Sequence, residues 1–294
     1  MPDTLLPTHA MASTGGVTIA AYDLGGSGPP MLLAHASGFC GQVLVPLARH
    51  LAGTFRLFAF DERGHGRSGR PSDGDFDWHG FADDVSAVVG GLALDRPFAF
   101  GHSCGGAALL LAEQARPGTF SGMFLFEPVV GMHATPGPPS FDNPLVAGAR
   151  RRRERFGSAA EAMARFAAHG PLSVLRPDAL AAYVSGGFAE EPDGSIVLRC
   201  RREDEAAVYA HGFSHDAFAR LPEVRCRVVL ACGDQSDSFG VDHLQACADR
   251  LPDASVEVFT GLGHFGPLQD PESVARAVTR SLTAAGPRVD TPRT

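Results

Sequence analysis

The sequence predicts an α/β chain with a mostly parallel central sheet flanked by helices and one inserted helical segment. Three observations lead there. Short apolar runs alternate with stretches whose apolar positions fall at helical spacing, the order expected when helices cross over between parallel strands. The runs are continuously apolar, as in strands buried on both faces. The rhythm stops at about residue 131 and resumes after about residue 221.

In chain order, residues 17–24 and 30–34 read as strands and 41–51 as an amphipathic helix. FRLFAF at 55–60 is a strand that ends in the polar turn 61–68. Residues 78–92 have helical spacing, 97–100 form a strand, 104–116 an Ala- and Leu-rich helix, and 123–126 another strand. After the break, strand 228–232, a helix near 241–251, strand 255–259 and a final helix 271–284 restore the alternation. The interruption opens on a Pro/Gly-rich stretch, HATPGPPSFDNP. It continues with helical pieces around 144–156, 158–168 and 177–184 and with no strong strand run. The expected organisation is therefore a core of 1–130 and 222–285, an insertion of 131–221, and a disordered tail over 286–294.

Composition narrows the function classes. A chain of 294 residues is roughly two domains of about 150. Apolar residues make up 44% and charged residues 20%, an ordinary globular balance. The net charge of −8 gives no general basic surface for nucleic acid. There is no apolar run of about 18 residues for a membrane span, and residues 1–16 lack the basic start and apolar stretch of a secretory signal. Cys40, Cys104, Cys200, Cys226, Cys232 and Cys247 are scattered with no C-x-x-C pair, so they are expected to be reduced and buried, in a cytoplasmic protein.

The segment PFAF-GHSCG-GAALLLAE concentrates the chemistry. Gly101-His102-Ser103-Cys104-Gly105 fits G-x-S-x-G between a strand and a helix, the context that motif needs. A strand that turns at once into a helix holds its middle residue in a strained conformation, crowds the two backbones, and requires small neighbours. A serine capping a helix after a strand is the plainer alternative for the pentapeptide alone. With its flanks, the segment resembles the α/β-hydrolase fold superfamily, over essentially the whole chain. That resemblance implies a serine hydrolase with a helical cap, a Ser–acid–His order, and no metal or cofactor.

A serine hydroxyl needs a base, and the base needs a group to fix its tautomer. His264 stands in the turn Gly261-Leu262-Gly263-His264-Phe265 after the last strand, where the resemblance puts the catalytic histidine. For the acid, Asp237 and Asp234 both follow strand VVLAC, and the family's G-x-x-S-D form favours Asp237. Glu127, in FLFEPV, stands where some relatives carry the acid; a structural or pocket-lining role is favoured for it. The oxyanion donors are expected to be the backbone N–H groups of Cys104 and Ser37. In the loop His35-Ala36-Ser37-Gly38-Phe39, Ala36 stands where the family commonly has glycine. His35, His102, Phe39 and Glu127 are candidates for lining the pocket, and Phe141, Phe156, Phe166 and Phe188 for its apolar ceiling or for plain cap core. Asp61-Glu62-Arg63-Gly64-His65-Gly66-Arg67-Ser68 resembles the family's D-x-R-G-x-G-x-S turn, with Asp61 and Arg63 holding loops in place.

Other patterns carry less. Gly261 to Gly266 spells G-x-G-x-x-G but has no room after it for the strand and acid of a dinucleotide site. His211 and His215 are four apart without the H-E-x-x-H glutamate, so no metal is expected. Arg150–Arg153, followed by Arg155, would wrap most of a helix's circumference and reads as a solvated, partly paired insertion helix, or else as a cap-edge patch that attracts an anionic substrate. The expected reaction is cleavage of a carboxylic ester, thioester or lactone of a small apolar molecule. A cofactor-free haloperoxidase or perhydrolase, or a C–C bond hydrolase, is the alternative on the same triad. A non-catalytic small-molecule receptor is the third reading. The expected partner is thus a small ester-type substrate, with neither nucleic acid nor membrane.

Overall fold

The computed structural model describes residues 5–132 and 135–283; the tail expected over 286–294 lies outside them. The chain runs through β1 (His9–Ala12), β2 (Thr18–Gly26), β3 (Pro30–Ala34), α1 (Val45–Leu51), β4 (Arg56–Phe60), α2 (Trp78–Gly91), β5 (Phe98–His102), α3 (Cys104–Ala115) and β6 (Gly122–Phe126). Between β6 and the next core strand come α4 (Pro144–Arg150), β7 (Arg155–Phe156), α5 (Ala159–Ala168), α6 (Pro177–Gly187), β8 (Phe188–Glu190), β9 (Ile196–Leu198) and α7 (Arg202–His211). The core closes with β10 (Arg227–Gly233), α8 (Val241–Ala248), β11 (Ala254–Phe259), α9 (Gly266–Gln269) and α10 (Pro271–Thr283).

The eight-stranded sheet has the order β1-β2-β4-β3-β5-β6-β10-β11. Only the pairings of β2, with β1 and with β4, are antiparallel; the strands from β4 to β11 are parallel. Successive strand residues point to opposite faces. Leu32 and Ala34 of β3 join α2 and α3 in one apolar cluster, and Met31 and Leu33 join α1 and α10 in the other. This is why the strands read as unbroken apolar runs. The four-residue β1 escapes that reading because it is a short edge strand with mostly exposed side chains.

The insertion is not purely helical, as its sequence suggested. β7, β9 and β8 form a small antiparallel sheet. These strands are two or three residues long, too short to leave a pattern. Phe156, Phe166, Phe188 and Tyr183 pack ring to ring at centroid distances of 5.3–6.1 Å. They form the interior of the insertion, whereas Phe141 is exposed. That interior is continuous with the apolar cluster of α1 and α10. On the other side α7 is tied to the core by Trp78 Nε1, which donates to Val208 O (3.0 Å), and by an Arg70–Asp204 ion pair.

All six cysteines are buried and unpaired. No helix among the described residues is long and apolar enough to cross a membrane. Helix α7 ends at His211, so His211 and His215 do not share a helical face; His215 instead stacks on Trp78 at 5.2 Å.

Candidate active site

The site is assembled at the C-terminal ends of β3, β5, β6 and β10 and in the loop after β11, the rim where open α/β sheets bring their loops together. Ser103 sits between β5 and α3 with φ 55° and ψ −115°, a strained conformation for a residue with a side chain. The neighbouring glycines explain how the turn is tolerated. A Cβ on Gly101 would lie 2.6 Å from Gly106 Cα, and one on Gly105 would lie 2.6 Å from the Ala34 and His35 backbone. The Ser103 N–H donates to Phe126 O (3.0 Å), and its carbonyl accepts from Val129 N–H (3.2 Å). The elbow is thereby pinned to the end of β6. Ser103 is 7% exposed, and its hydroxyl has no hydrogen-bond partner among the described residues.

His102, the residue before Ser103, meets His264. His102 Nε2 donates to the His264 carbonyl at 2.8 Å, and the two rings are 5.1 Å apart. Burial, and then the neighbouring His264, hold the His102 ring well below the usual histidine range, so it is neutral at pH 7. His102 is therefore a buried strut for the His264 loop.

The carboxylate that reaches His264 is Glu127, not Asp237. His264 Nδ1 lies 2.6 Å from Glu127 Oε2. Glu127 is fully buried and also accepts from Ser236 Oγ (2.7 Å) and Gly233 N–H (3.1 Å). It follows β6 directly, with φ 45° and its N–H on Ala231 O (2.8 Å), so its backbone is fastened to β10. Asp237 stands on the outer side of the loop after β10. It is exposed and pairs with no other described residue. Asp234 caps the following turn, accepting from Gly261 N–H (2.7 Å). With Nδ1 donating to Glu127, the Nε2 lone pair of His264 is left to accept a proton.

The loop after β3 is held by two buried histidines. His35 Nε2 accepts from Glu62 N–H (3.0 Å), and its Nδ1 donates to Ala36 O (2.8 Å). His65 Nε2 accepts from Gly38 N–H (2.9 Å), and its Nδ1 donates to Arg63 O (2.9 Å). His35, expected to line a pocket, has both nitrogens committed to the backbone and no exposed surface. The sequence marked neither His35 nor His65 as a strut, because nothing local tells a committed ring from a free one. Behind the elbow, Glu62 lies against the Cys104 thiol, and burial pushes its carboxyl well above the usual carboxylate range. In the same turn, Asp61 accepts from Tyr22 Oη (2.6 Å), Gly41 N–H and Arg67 N–H (both 2.7 Å). Arg63 makes a two-pronged pair with buried Asp84 (2.7 and 2.8 Å).

Burial drives the imidazoles of both His35 and His65 down to about 4. Each ring also accepts an N–H that a proton on Nε2 would repel. Both are expected to stay neutral, as Nδ1–H tautomers, from pH 8 down to about pH 5. Nitrogen-detected NMR of the imidazoles checks this; titration of either ring near its ordinary value of about 6.5 would refute it.

The Gly105 N–H donates to His35 O (3.1 Å), so the loop after β3 abuts the start of α3. The N–H groups of Ser37 and Cys104 have no acceptor among the described residues. Two free donors thus flank the serine, at the N-terminus of a helix whose dipole favours negative charge. Phe39 packs between Tyr183 of α6 (5.1 Å) and Phe265 (5.6 Å), the residue after His264. No group of three or more metal-binding side chains occurs among the described residues.

Comparison with known proteins bears on the family and the fold. The profile of the "Alpha/beta hydrolase family" matches residues 31–277. The 2-(acetamidomethylene)succinate hydrolase of Mesorhizobium japonicum is 27% identical over 264 residues, covering 88% of this chain and 90% of that protein. The crystal structure of an E-2-(acetamidomethylene)succinate hydrolase superposes with a TM-score of 0.77 at 24% identity, over 94% of this chain and 100% of the other. The enol-lactonase of Burkholderia xenovorans superposes with a TM-score of 0.72 at 18% identity, over 94% and 99%.

Proposed function

Because the chain belongs to the alpha/beta hydrolase family, we propose that it is a serine hydrolase acting on a carboxylic ester, or a related acyl compound, of a small molecule. The observation that carries this reading is the 2.6 Å contact between His264 Nδ1 and buried Glu127, with the His264 loop bonded to His102, the residue before a serine on a strained elbow. Ser103 Oγ attacks the carbonyl carbon while His264 Nε2 takes its proton. Glu127 fixes the tautomer and stabilises the imidazolium. The carbonyl oxygen, now negative, is held by the N–H groups of Ser37 and Cys104. As the C–O bond breaks, His264 returns the proton to the leaving oxygen, and an acyl group remains on Ser103. Water then repeats the sequence and releases the acid. The insertion serves as a cap over this site.

The similarity to the 2-(acetamidomethylene)succinate hydrolase of Mesorhizobium japonicum supports a hydrolytic chemistry; its amide-bearing succinate belongs to that protein. A panel of 4-nitrophenyl esters of increasing acyl length tests the reading. A burst of one nitrophenol per chain is expected, followed by steady turnover. Absence of any ester turnover, with peracid formed from acetate and peroxide instead, would replace hydrolysis with perhydrolysis.

A further inference from the structure

One charged cluster of the insertion takes no part in the proposed chemistry. The arginine run was expected on a helix, but α4 stops at Arg150 and the rest of the run leaves it. Arg150 pairs with Glu203 and Arg153 with Glu161 on the surface, and Arg151 is exposed. Arg152 alone turns inward. Its Nη1 donates to Glu205 of α7 and its Nη2 to the hydroxyl of Tyr183 on α6.

This cluster lies directly against the loop that carries Ser37. Gly38, the next residue, has φ +77° and no Cβ. A Cβ there would collide with Glu205 Oε1 and stand 3.0 Å from Arg152 Nη1. The Tyr183 ring leads through Phe39 to Phe265 beside His264. The guanidinium therefore lies against the residue that follows Ser37, one of the two candidate oxyanion donors.

Its hydrogen-bonding capacity is not used up. A guanidinium has five N–H bonds, and the protein occupies two of them. The Tyr183 oxygen accepts from Arg152, so its own hydrogen has no acceptor among the described residues, although the side chain is 1% exposed. Arg152 keeps 23% of its side-chain surface, while Glu205 keeps 4%. Glu205 thus holds one edge of the guanidinium, and the rest of the fork and the Tyr183 hydroxyl keep donors that no described residue occupies. A planar guanidinium fork beside a hydroxyl matches the two oxygens of a carboxylate.

We propose that Arg152 and Tyr183 bind a carboxylate carried by the substrate, which makes the enzyme selective for anionic over neutral esters. This rests on the hydrolase reading of Ser103. Two ester pairs, followed by pH-stat, place the charge on either side of the scissile bond: monomethyl succinate against methyl butyrate, and carboxymethyl butyrate against propyl butyrate. In at least one pair, Arg152→Gln is expected to lower the anionic-to-neutral ratio of kcat/KM by about 10–100-fold, and Tyr183→Phe by about 3–10-fold. Arg152→Lys, which keeps a charge against Glu205 but loses the fork, should fall between wild type and Arg152→Gln. Glu205→Gln should preserve or raise the ratio, because it removes a competing anion.

Where turnover of these esters is too slow to follow, protection of Ser103 from fluorophosphonate labelling by succinate reads the same contact; it should weaken in Arg152→Gln and Tyr183→Phe. A ratio or protection unchanged in both variants would overturn the proposal and leave the cluster a brace for the loop. Failure of Ser103 to label at all would instead remove the hydrolase reading.

Discussion

Replacing Ser103 by alanine is expected to lower ester turnover by about 10⁴–10⁶-fold and to abolish covalent labelling by a fluorophosphonate. The magnitude follows from the division of labour at the elbow. The hydroxyl is the attacking group, so its loss removes the acyl-enzyme route and leaves only binding and the two N–H donors. Alanine retains the Cβ already accommodated at φ 55°, so folding should be unaffected and thermal unfolding should match the wild type. Persistent labelling at another residue, or turnover within about tenfold of wild type, would rule out this serine as nucleophile.

The second large effect separates the two carboxylates. Glu127→Gln should reduce kcat by about 10³–10⁴-fold, the scale seen when a triad acid becomes an amide and favours the wrong imidazole tautomer. Asp237→Asn should change it by no more than about twofold, because an exposed, unpaired side chain has nothing to lose. Glutamine can keep its oxygen on Gly233 N–H while its NH2 meets Ser236 Oγ, a hydroxyl that can turn to accept, so this variant should fold; circular dichroism and the thermal midpoint check that independently of rate. Equal losses in the two variants, or a larger loss in Asp237→Asn, would refute the assignment of Glu127.

Much of the architecture was legible because burial on both faces writes itself into composition. Strands such as PMLLA and GMFLF are apolar throughout, with neighbours on each side of the sheet. The elbow was legible for a steric reason: the small residues around Ser103 are those the meeting of β5 and α3 demands. The short strands of the insertion were not legible, since pairs such as Arg155–Phe156 acquire their conformation from β9 and not from any local preference.

The identity of the acid shows the limit most clearly. Glu127 and Asp237 follow β6 and β10, which are adjacent strands, and both lie close in sequence to a strand end. Spacing alone therefore allowed either, and the sequence favoured the one that does not reach His264. What separates them is direction. The left-handed turn at Glu127 sends its carboxylate beneath the His264 loop, and the loop after β10 brings Ser236 inward to it while carrying Asp237 out to solvent.

The sequence by itself determined the sheet, the elbow and the residue types available for catalysis, because periodicity and steric demand are local properties of the chain. Only the tertiary structure decided which carboxylate holds His264, which histidines brace the loop after β3, and which arginine of four turns inward. Those choices depend on side chains separated by up to 137 positions in the chain, as Glu127 and His264 are. Such contacts are selected by the packing of the whole domain, and no local pattern encodes them.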